Sequence, residues 1–264
     1  MPHKPRHTLA TLDPEASNLL PAFVRDFEPV WAGPWARNQE TVDAGHRYVE
    51  GLILPGERKS MEPLSGRVDA ARDAFYQFIT RSPWEWCDLQ DRLVVAGLRH
   101  GVLHKEGGLY LDDLAVPKKG DKSVGVARQY CGVLGKVDNC QALVTVVWGA
   151  PAQQNRDSAL WPLGMELYLP QEWADDAARR RDAGVPEAVG FRTKNRIALD
   201  RLDAIRTQVP HAWTGADAGY GSDGAFRAQL RAWNEAHVVG VRANAFRCRW
   251  MDLEGARGGA STPP

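Results

Sequence analysis

Apolar positions in the N-terminal part of the chain recur at helical spacing. Phe23, Phe27, Trp31 and Trp35 stand four apart, one face of a helix that Pro29 and Pro34 must bend or break. A second helical pattern covers Val68 to Ile79, with Ala71, Phe75 and Phe78 on one side. Ser82-Pro-Trp-Glu85 then reads as a helix start, with Ser82 as N-cap, Pro83 at the first position and Glu85 three residues on. Residues from about Asp13 to His104 therefore predict a helical unit of roughly three to five helices.

The pattern changes at Gly107-Gly108. Short apolar runs bounded by turn residues predict strands at Leu109–Asp113, Ser123–Cys131 and Gln141–Trp148, the makings of an antiparallel meander. A further extended piece spans Trp161 to Pro170. Helices are expected at Gln171–Arg181 and Lys194–Thr207, a strand at Trp213–Ala216, a helix capped by Asp223 and running to about Ala236, and a strand at His237–Val241. The segment from Asp252 to Pro264 holds Gly, Ala, Ser and Pro and reads as disordered. Three strands followed by alternating helix and strand match a ribonuclease-H-like order: an α/β core of mixed sheet and helices, preceded by an α-helical domain. The boundaries read as 1–105 helical, 106–250 core and 251–264 tail.

Composition narrows the picture modestly. Basic and acidic residues balance at 33 each, so no global field attracts nucleic acid and any such contact needs a local patch. The run Ala142–Val147 is far too short to span a bilayer. Cys87, Cys131, Cys140 and Cys248 include no CxxC pair, which excludes a zinc ribbon and fits a reducing cytoplasm. Cys131 and Cys140 flank a turn and read as buried structural thiols.

Candidate chemistry concentrates at Leu109-Tyr-Leu-Asp-Asp-Leu-Ala-Val-Pro-Lys-Lys-Gly120. A carboxylate ending a buried strand is rigidly held and can bind a hard divalent cation. Asp217 ends a second strand, before Gly219 and Gly221, which allow a tight turn and close approach by a substrate backbone. If the strands are neighbours, the carboxylates converge on shared metal ions suited to phosphodiester chemistry. Aspartates also cap turns and helices, the simpler reading of the same residues. Alternation places Asp112 and Asp113 on opposite faces, so one can be a ligand, and spacing does not choose between them.

Lys118, Lys119, Lys122, Arg128 and Lys136 form a local cationic excess suited to phosphate, or else a solvated turn. Arg179-Arg-Arg181 and Arg58-Lys59 read as solvated faces or backbone contacts to DNA. His100 and His104 have the i, i+4 spacing of a zinc pair but lack the companion glutamate, which favours a surface pair.

Several motifs together resemble the bacterial insertion-sequence transposases of the DDE superfamily, in particular the insertion sequence 701 group. They are Tyr48-Val-Glu-Gly-Leu-Ile-Leu-Pro-Gly-Glu-Arg-Lys-Ser-Met-Glu-Pro63, Phe78-Ile-Thr-Arg-Ser-Pro-Trp84, Leu111-Asp-Asp113, Pro117-Lys-Lys-Gly120, Ser123-Val-Gly-Val-Ala-Arg-Gln-Tyr-Cys-Gly132, Asp138-Asn-Cys-Gln141, Leu167-Tyr-Leu-Pro-Gln-Glu-Trp173, Gly184-Val-Pro186, Thr193-Lys194 and Ala216-Asp-Ala-Gly-Tyr-Gly221. The resemblance covers roughly Phe23 to Arg242. It implies a core that binds two Mg²⁺ or Mn²⁺ ions through two aspartates and a glutamate. Such enzymes nick the DNA at element ends and join the freed 3′-hydroxyl to target DNA. It assigns Asp217 as one catalytic and metal-binding carboxylate and Asp113 as the other, with Asp112 as the fallback, because relatives carry Asp-Asp-Thr where this chain has Asp-Asp-Leu114. Lys118, Lys119, Arg128 and Lys136 are the expected DNA contacts.

The third carboxylate is expected to be missing. Glu235 precedes the last predicted strand, Glu254 falls in the Gly/Ala tail, and the family pattern ends near Arg242. The sequence thus predicts a transposase truncated before its last core helix, with impaired two-metal catalysis and low stability. The competing expectation is an inactive DNA-binding remnant, or an inhibitor acting through shared DNA ends or mixed oligomers with a full-length transposase.

Overall fold

The structure, a computed structural model, describes residues 14–33, 39–56, 58–151 and 159–242. Trp35, Pro34, Cys248, Glu254 and the tail lie outside the described residues. The chain forms two compact units, one up to Leu103 and one from His104.

The first unit is helical: α1 (Pro14–Asp26), α2 (Glu28–Trp31), α3 (Gln39–Ile53), α4 (Met61–Val68), α5 (Arg72–Arg81) and α6 (Trp86–Arg99). The aromatic stripe is shared between α1 and α2, because Pro29 sits in the first turn of a new helix, where its missing N–H costs nothing. Phe27, Trp31, Phe75 and Phe78 are all buried, and Trp31 meets Phe78 edge-on at 5.8 Å. Gly45 of α3 lets the Trp31 indole lie on the helix, since a Cβ there would come within 2.7 Å of it.

Two expected helix boundaries are corrected. Val68–Ile79 is split by a left-handed Asp69 (φ 51°), which ends α4 and leaves Ala71 at the start of α5. Ser82 caps the C-terminus of α5 instead of opening a helix. The reason is Trp84: its indole N–H donates to the Phe78 carbonyl and its ring stacks on Phe78 at 5.9 Å, which needs an extended segment before α6.

The second unit is a six-stranded mixed sheet. Its strands are β1 (Gly108–Pro117), β2 (Ala127–Cys131), β3 (Lys136–Gly149), β4 (Leu160–Leu167), β5 (Trp213–Ala216) and β6 (His237–Val239). β3 lies antiparallel to β1, and β2 and β4 both pair antiparallel with β3. β5 runs parallel to β1, and β6 parallel to β5. Cys140 and residues 143–149 of β3 have partners on both sides, so β2 and β4 follow one another along the edge away from β1. The path β4-β3-β1-β5-β6 is the ribonuclease-H-like arrangement.

β4, rather than the Ser123–Cys131 segment, is therefore the third strand of the core. β2 is a short arm folded back on the extended start of β3. The expected helix over Gln171–Arg181 is two pieces, α7 (Gln171–Ala174) and α8 (Ala177–Asp182), because the Asp176 carboxylate caps the second by accepting the Arg179 N–H. α9 (Lys194–Ile205) packs on β3 and β4 and buries Ile197, Ala198 and Leu202. α10 (Ala218–Gly221) follows β5 directly, and α11 (Gly224–Ala232) packs against α9. α11 stops at Ala232 rather than Ala236, since Asn234 turns left-handed (φ 55°).

Candidate active site

β1 does not end at its aspartates. It continues to Pro117 against β3, while its pairing with β5 stops at Leu111 beside Ala216. Asp112 and Asp113 thus stand where β1 loses its parallel neighbour, and Asp217 is the first residue beyond β5. Ligands of open α/β sheets bind in the crevice past the carboxyl ends of such strands. All three aspartates are exposed there.

Asp217 is fixed by its own backbone. Its Oδ1 accepts the N–H groups of Gly219 (2.8 Å) and Tyr220 (3.4 Å), capping α10. Tyr220 is buried, and its hydroxyl donates to Oδ1 of Asp113. Burial first, then this hydrogen bond and the negative charges of Asp113, Asp112 and Asp217, push the Tyr220 phenol far above its ordinary range. The phenol therefore stays protonated and acts as a donor. One tyrosine ties the two aspartate-bearing strands together.

The second oxygen of Asp113 accepts from Lys194 Nζ at 2.6 Å. Lys194 opens α9, whose N-cap Thr193 accepts the Arg196 N–H, and its ammonium lies 5.4 Å from the centre of the Tyr168 ring. Asn195 next to it donates to Asp223, the N-cap of α11, at 3.0 Å. The start of α9 is thus clamped against both neighbouring elements. By alternation Asp113 shares the face of buried Leu111 and Ala115, whereas Asp112 shares that of exposed Tyr110 and Leu114. Among the described residues, Lys194 and Tyr220 are the side chains that donate to Asp113, and Asp112 accepts the Asp113 N–H at 2.7 Å.

Other carboxylates are committed elsewhere. Glu166 shares a row across the sheet with Val144 and Asp113, two strands or about 10 Å away. Its oxygens face Arg192 and Arg201 (3.3 Å), and Arg192 also donates to Asp200 at 2.8 Å. This network braces α9 against β4. Glu235 accepts from Thr214 at 2.8 Å and lies 2.7 Å from His211, at the opposite end of β5 from Asp217. Among the described residues no group of three or more His, Cys, Asp or Glu side chains is set to hold a metal ion.

A family model for DDE superfamily endonucleases matches residues 36–248. The chain belongs to this family. The match runs past Arg242, where the sequence motifs fade. The probable transposase for insertion sequence element IS701 of Microchaete diplosiphon is 29% identical over 202 residues, covering 74% of this chain and 48% of that protein. The chain thus spans about half the length of its curated relative.

Within this DDE-family core the basic candidates do not gather at the aspartates. Lys118 lies five residues beyond Asp113, about 17 Å along β1, with Lys119 and Lys122 farther on. The Lys118 N–H donates to Asn139 and its carbonyl accepts from the Asn139 amide, so the turn is pinned to β3. Arg128 pairs with Asn139 and Lys136 with Cys131, which puts their side chains on opposite faces of the β2–β3 arm. Lys136 is paired with Asp138 at 2.9 Å, and its ammonium, then the Asn139 N–H, hold that carboxyl below the usual range.

Arg179 lies over the Trp173 ring at 3.6 Å and donates to the Asp121 carbonyl, while Arg180 donates to the backbone carbonyls of Ala174, Pro186, Glu187 and Val189. Both hold the fold. In the helical unit, Lys59 donates to Leu54 and the Arg58 carbonyl accepts from Arg67. α6 ends before His100, which sits 2.5 Å from Asp26, whereas His104 packs on Trp148 at 4.7 Å. The spacing of these histidines is not that of a helical pair. Cys131 and Cys140 are fully buried with Ala115, and burial followed by the neighbouring Cys131 pushes the Cys140 thiol up.

Sequence reasoning missed two residues that touch Asp113. Lys194 appeared only as part of a motif and Tyr220 only as a spacer between glycines. Gly221 has a different role from the one expected: a Cβ there would meet the Gly240 carbonyl at 2.1 Å, so the close approach is by the strand end after β6.

Proposed function

We propose that this chain carries the two-aspartate part of a transposase active site and nicks DNA at the ends of an insertion sequence. The observation that carries the reading is the linked pair Asp113 and Asp217, exposed where the parallel pairing of β1 with β5 ends and joined through Tyr220. Their donors suit a hard divalent cation: carboxylate oxygens on rigid backbone, open to solvent, with Asp113 only 35% exposed at its side chain. Asp113 and Asp217 would hold Mg²⁺ or Mn²⁺, which when bound activates an attacking water or hydroxyl and stabilises the leaving oxygen.

The remaining groups position these two. The protonated Tyr220 fixes one oxygen of Asp113, and the α10 amides fix Asp217. Lys194 supplies positive charge at the start of α9, close to where a phosphate would approach Asp113. Lys118, Lys119, Arg128 and Lys136 are assigned to backbone contacts farther along the DNA, with the helical unit as a second DNA-binding element. Strand transfer to target DNA, and pairing with another copy or with a full-length transposase, belong to the same reading.

A second reading is a protein that binds the element's ends without cutting them. It is favoured by the engagement of Glu166 and Glu235 in other contacts, which leaves no glutamate beside the aspartates among the described residues. One assay separates the two. Plasmid carrying the flanking element's ends is incubated with the full chain and Mg²⁺ or Mn²⁺, beside Asp113→Asn and Asp217→Asn. Nicking that both substitutions abolish supports the enzyme. Retarded but uncut DNA supports the binding protein, and nicking that survives both sinks the assignment of the aspartates.

A further inference from the structure

Lys194 occupies the place at Asp113 that a second cation would want. Its ammonium is 2.6 Å from Oδ2, the oxygen that Tyr220 does not take. Neither partner is free-floating, with 28% of the lysine side chain and 35% of the aspartate side chain exposed. The lysine stem rises from a helix start anchored by Thr193 and Asn195, and its head rests over Tyr168. With Tyr220 on one oxygen and Lys194 on the other, each oxygen of the carboxylate has a donor without any ion.

We propose that Lys194 is an internal competitor for the metal: a divalent cation binds Oδ2 of Asp113 against the opposing charge of its ammonium. This rests on the reading of Asp113 as a metal ligand. Charge makes the competition direct, since ammonium and divalent cation neutralise the same carboxylate and repel each other when both sit against one oxygen. The consequence is a site that holds metal weakly by itself and has a lysine ready to be released toward a phosphate oxygen. Lys194 is thus a positioning residue, whose pairing with Asp113 sets the threshold for metal entry.

Partly exposed ion pairs contribute little, so removing this one should tighten metal binding by roughly two- to fivefold. The test is titration of the full chain with Mn²⁺, following loss of the free-ion electron paramagnetic resonance signal. Lys194→Met is expected to bind Mn²⁺ more tightly than wild type, and Lys194→Arg to stay near wild type. Arg196 lies on the same helix start but pairs with Asp200, so Arg196→Met should leave the affinity unchanged.

Unchanged or weaker binding by Lys194→Met overturns the proposal, and so does equal tightening by Arg196→Met, which would mean a general field effect. Asp113→Asn distinguishes the two levels of failure. If it abolishes binding while Lys194→Met changes nothing, the metal site stands and the competitor role falls. If it binds Mn²⁺ as wild type does, the site reading itself falls and takes this proposal with it. In the supporting case Asp113→Asn with Lys194→Met should bind no better than Asp113→Asn alone, because the advantage of losing the lysine exists only at Asp113.

Discussion

The hydroxyl of Tyr220 donates to the carboxylate of Asp113, 107 residues earlier in the chain. The ring is buried, so replacing it by phenylalanine removes the donor and keeps the packing. Asp113 is open enough to be rehydrated, which limits the penalty. Tyr220→Phe should lower stability by about 1 kcal/mol in urea denaturation. No change in the midpoint would mean that the bond between α10 and β1 is idle.

Trp173 is fully buried under Val126 and Leu169, with its indole N–H on the Val126 carbonyl at 2.8 Å. Trp173→Phe leaves that carbonyl unpaired and a partial cavity, and should cost about 2–3 kcal/mol. Circular-dichroism melting reads the loss directly, and a shift of the midpoint by only a degree would contradict the packing described.

A methyl group at position 221 would press on the Gly240 carbonyl, whereas one at Gly66 in α4 meets nothing within 4 Å. Gly221→Ala should therefore destabilise by about 2 kcal/mol or more by pushing β6 away. Gly66→Ala should stabilise by about 0.5–1 kcal/mol through helix propensity. Equal effects of the two substitutions on thermal unfolding would remove the close contact from the account.

Burial raises the Glu50 carboxyl above its usual range, against the opposing charge of Arg47. A folded-state value above the unfolded one gives stability that is full below the unfolded value and is lost as pH rises through the folded one. At neutral pH, then, the ionised Glu50 is a cost. Glu50→Gln should be more stable at pH 7 by up to about 0.5 kcal/mol, discounted for solvent screening. That advantage should vanish below about pH 4, where both side chains are neutral. Melting curves across that interval test the sign.

Local chemistry was readable wherever a residue acts on its own neighbourhood. The sequence places Asp223 as a helix cap and Asp217 just past a strand, and both hold in the structure. The change from helical to alternating pattern at Gly107-Gly108 falls next to the start of β1. Reading failed where a tertiary contact outweighed local preference. Ser82 lost its N-cap role because Trp84 needed to reach Phe78, and Ser123–Cys131 was displaced as third core strand by β4, an edge strand that holds Pro162. An edge tolerates a missing donor, which single-strand propensity does not reveal.

The sequence by itself determined the class of the core, the family and the two aspartates worth examining, because apolar period, turn residues and ordered motifs are local properties. The tertiary structure alone decided what those aspartates touch. Lys194 and Tyr220 lie 81 and 107 positions from Asp113 and meet it through the parallel pairing of β1 with β5 and the seating of α9 on β3. Glu166 aligns with Asp113 across the sheet yet turns to Arg192, and Arg128 and Lys136 part to opposite faces of one arm. Strand register and helix docking set these relations, and no periodicity along the chain encodes which distant side chain fills the space beside a carboxylate.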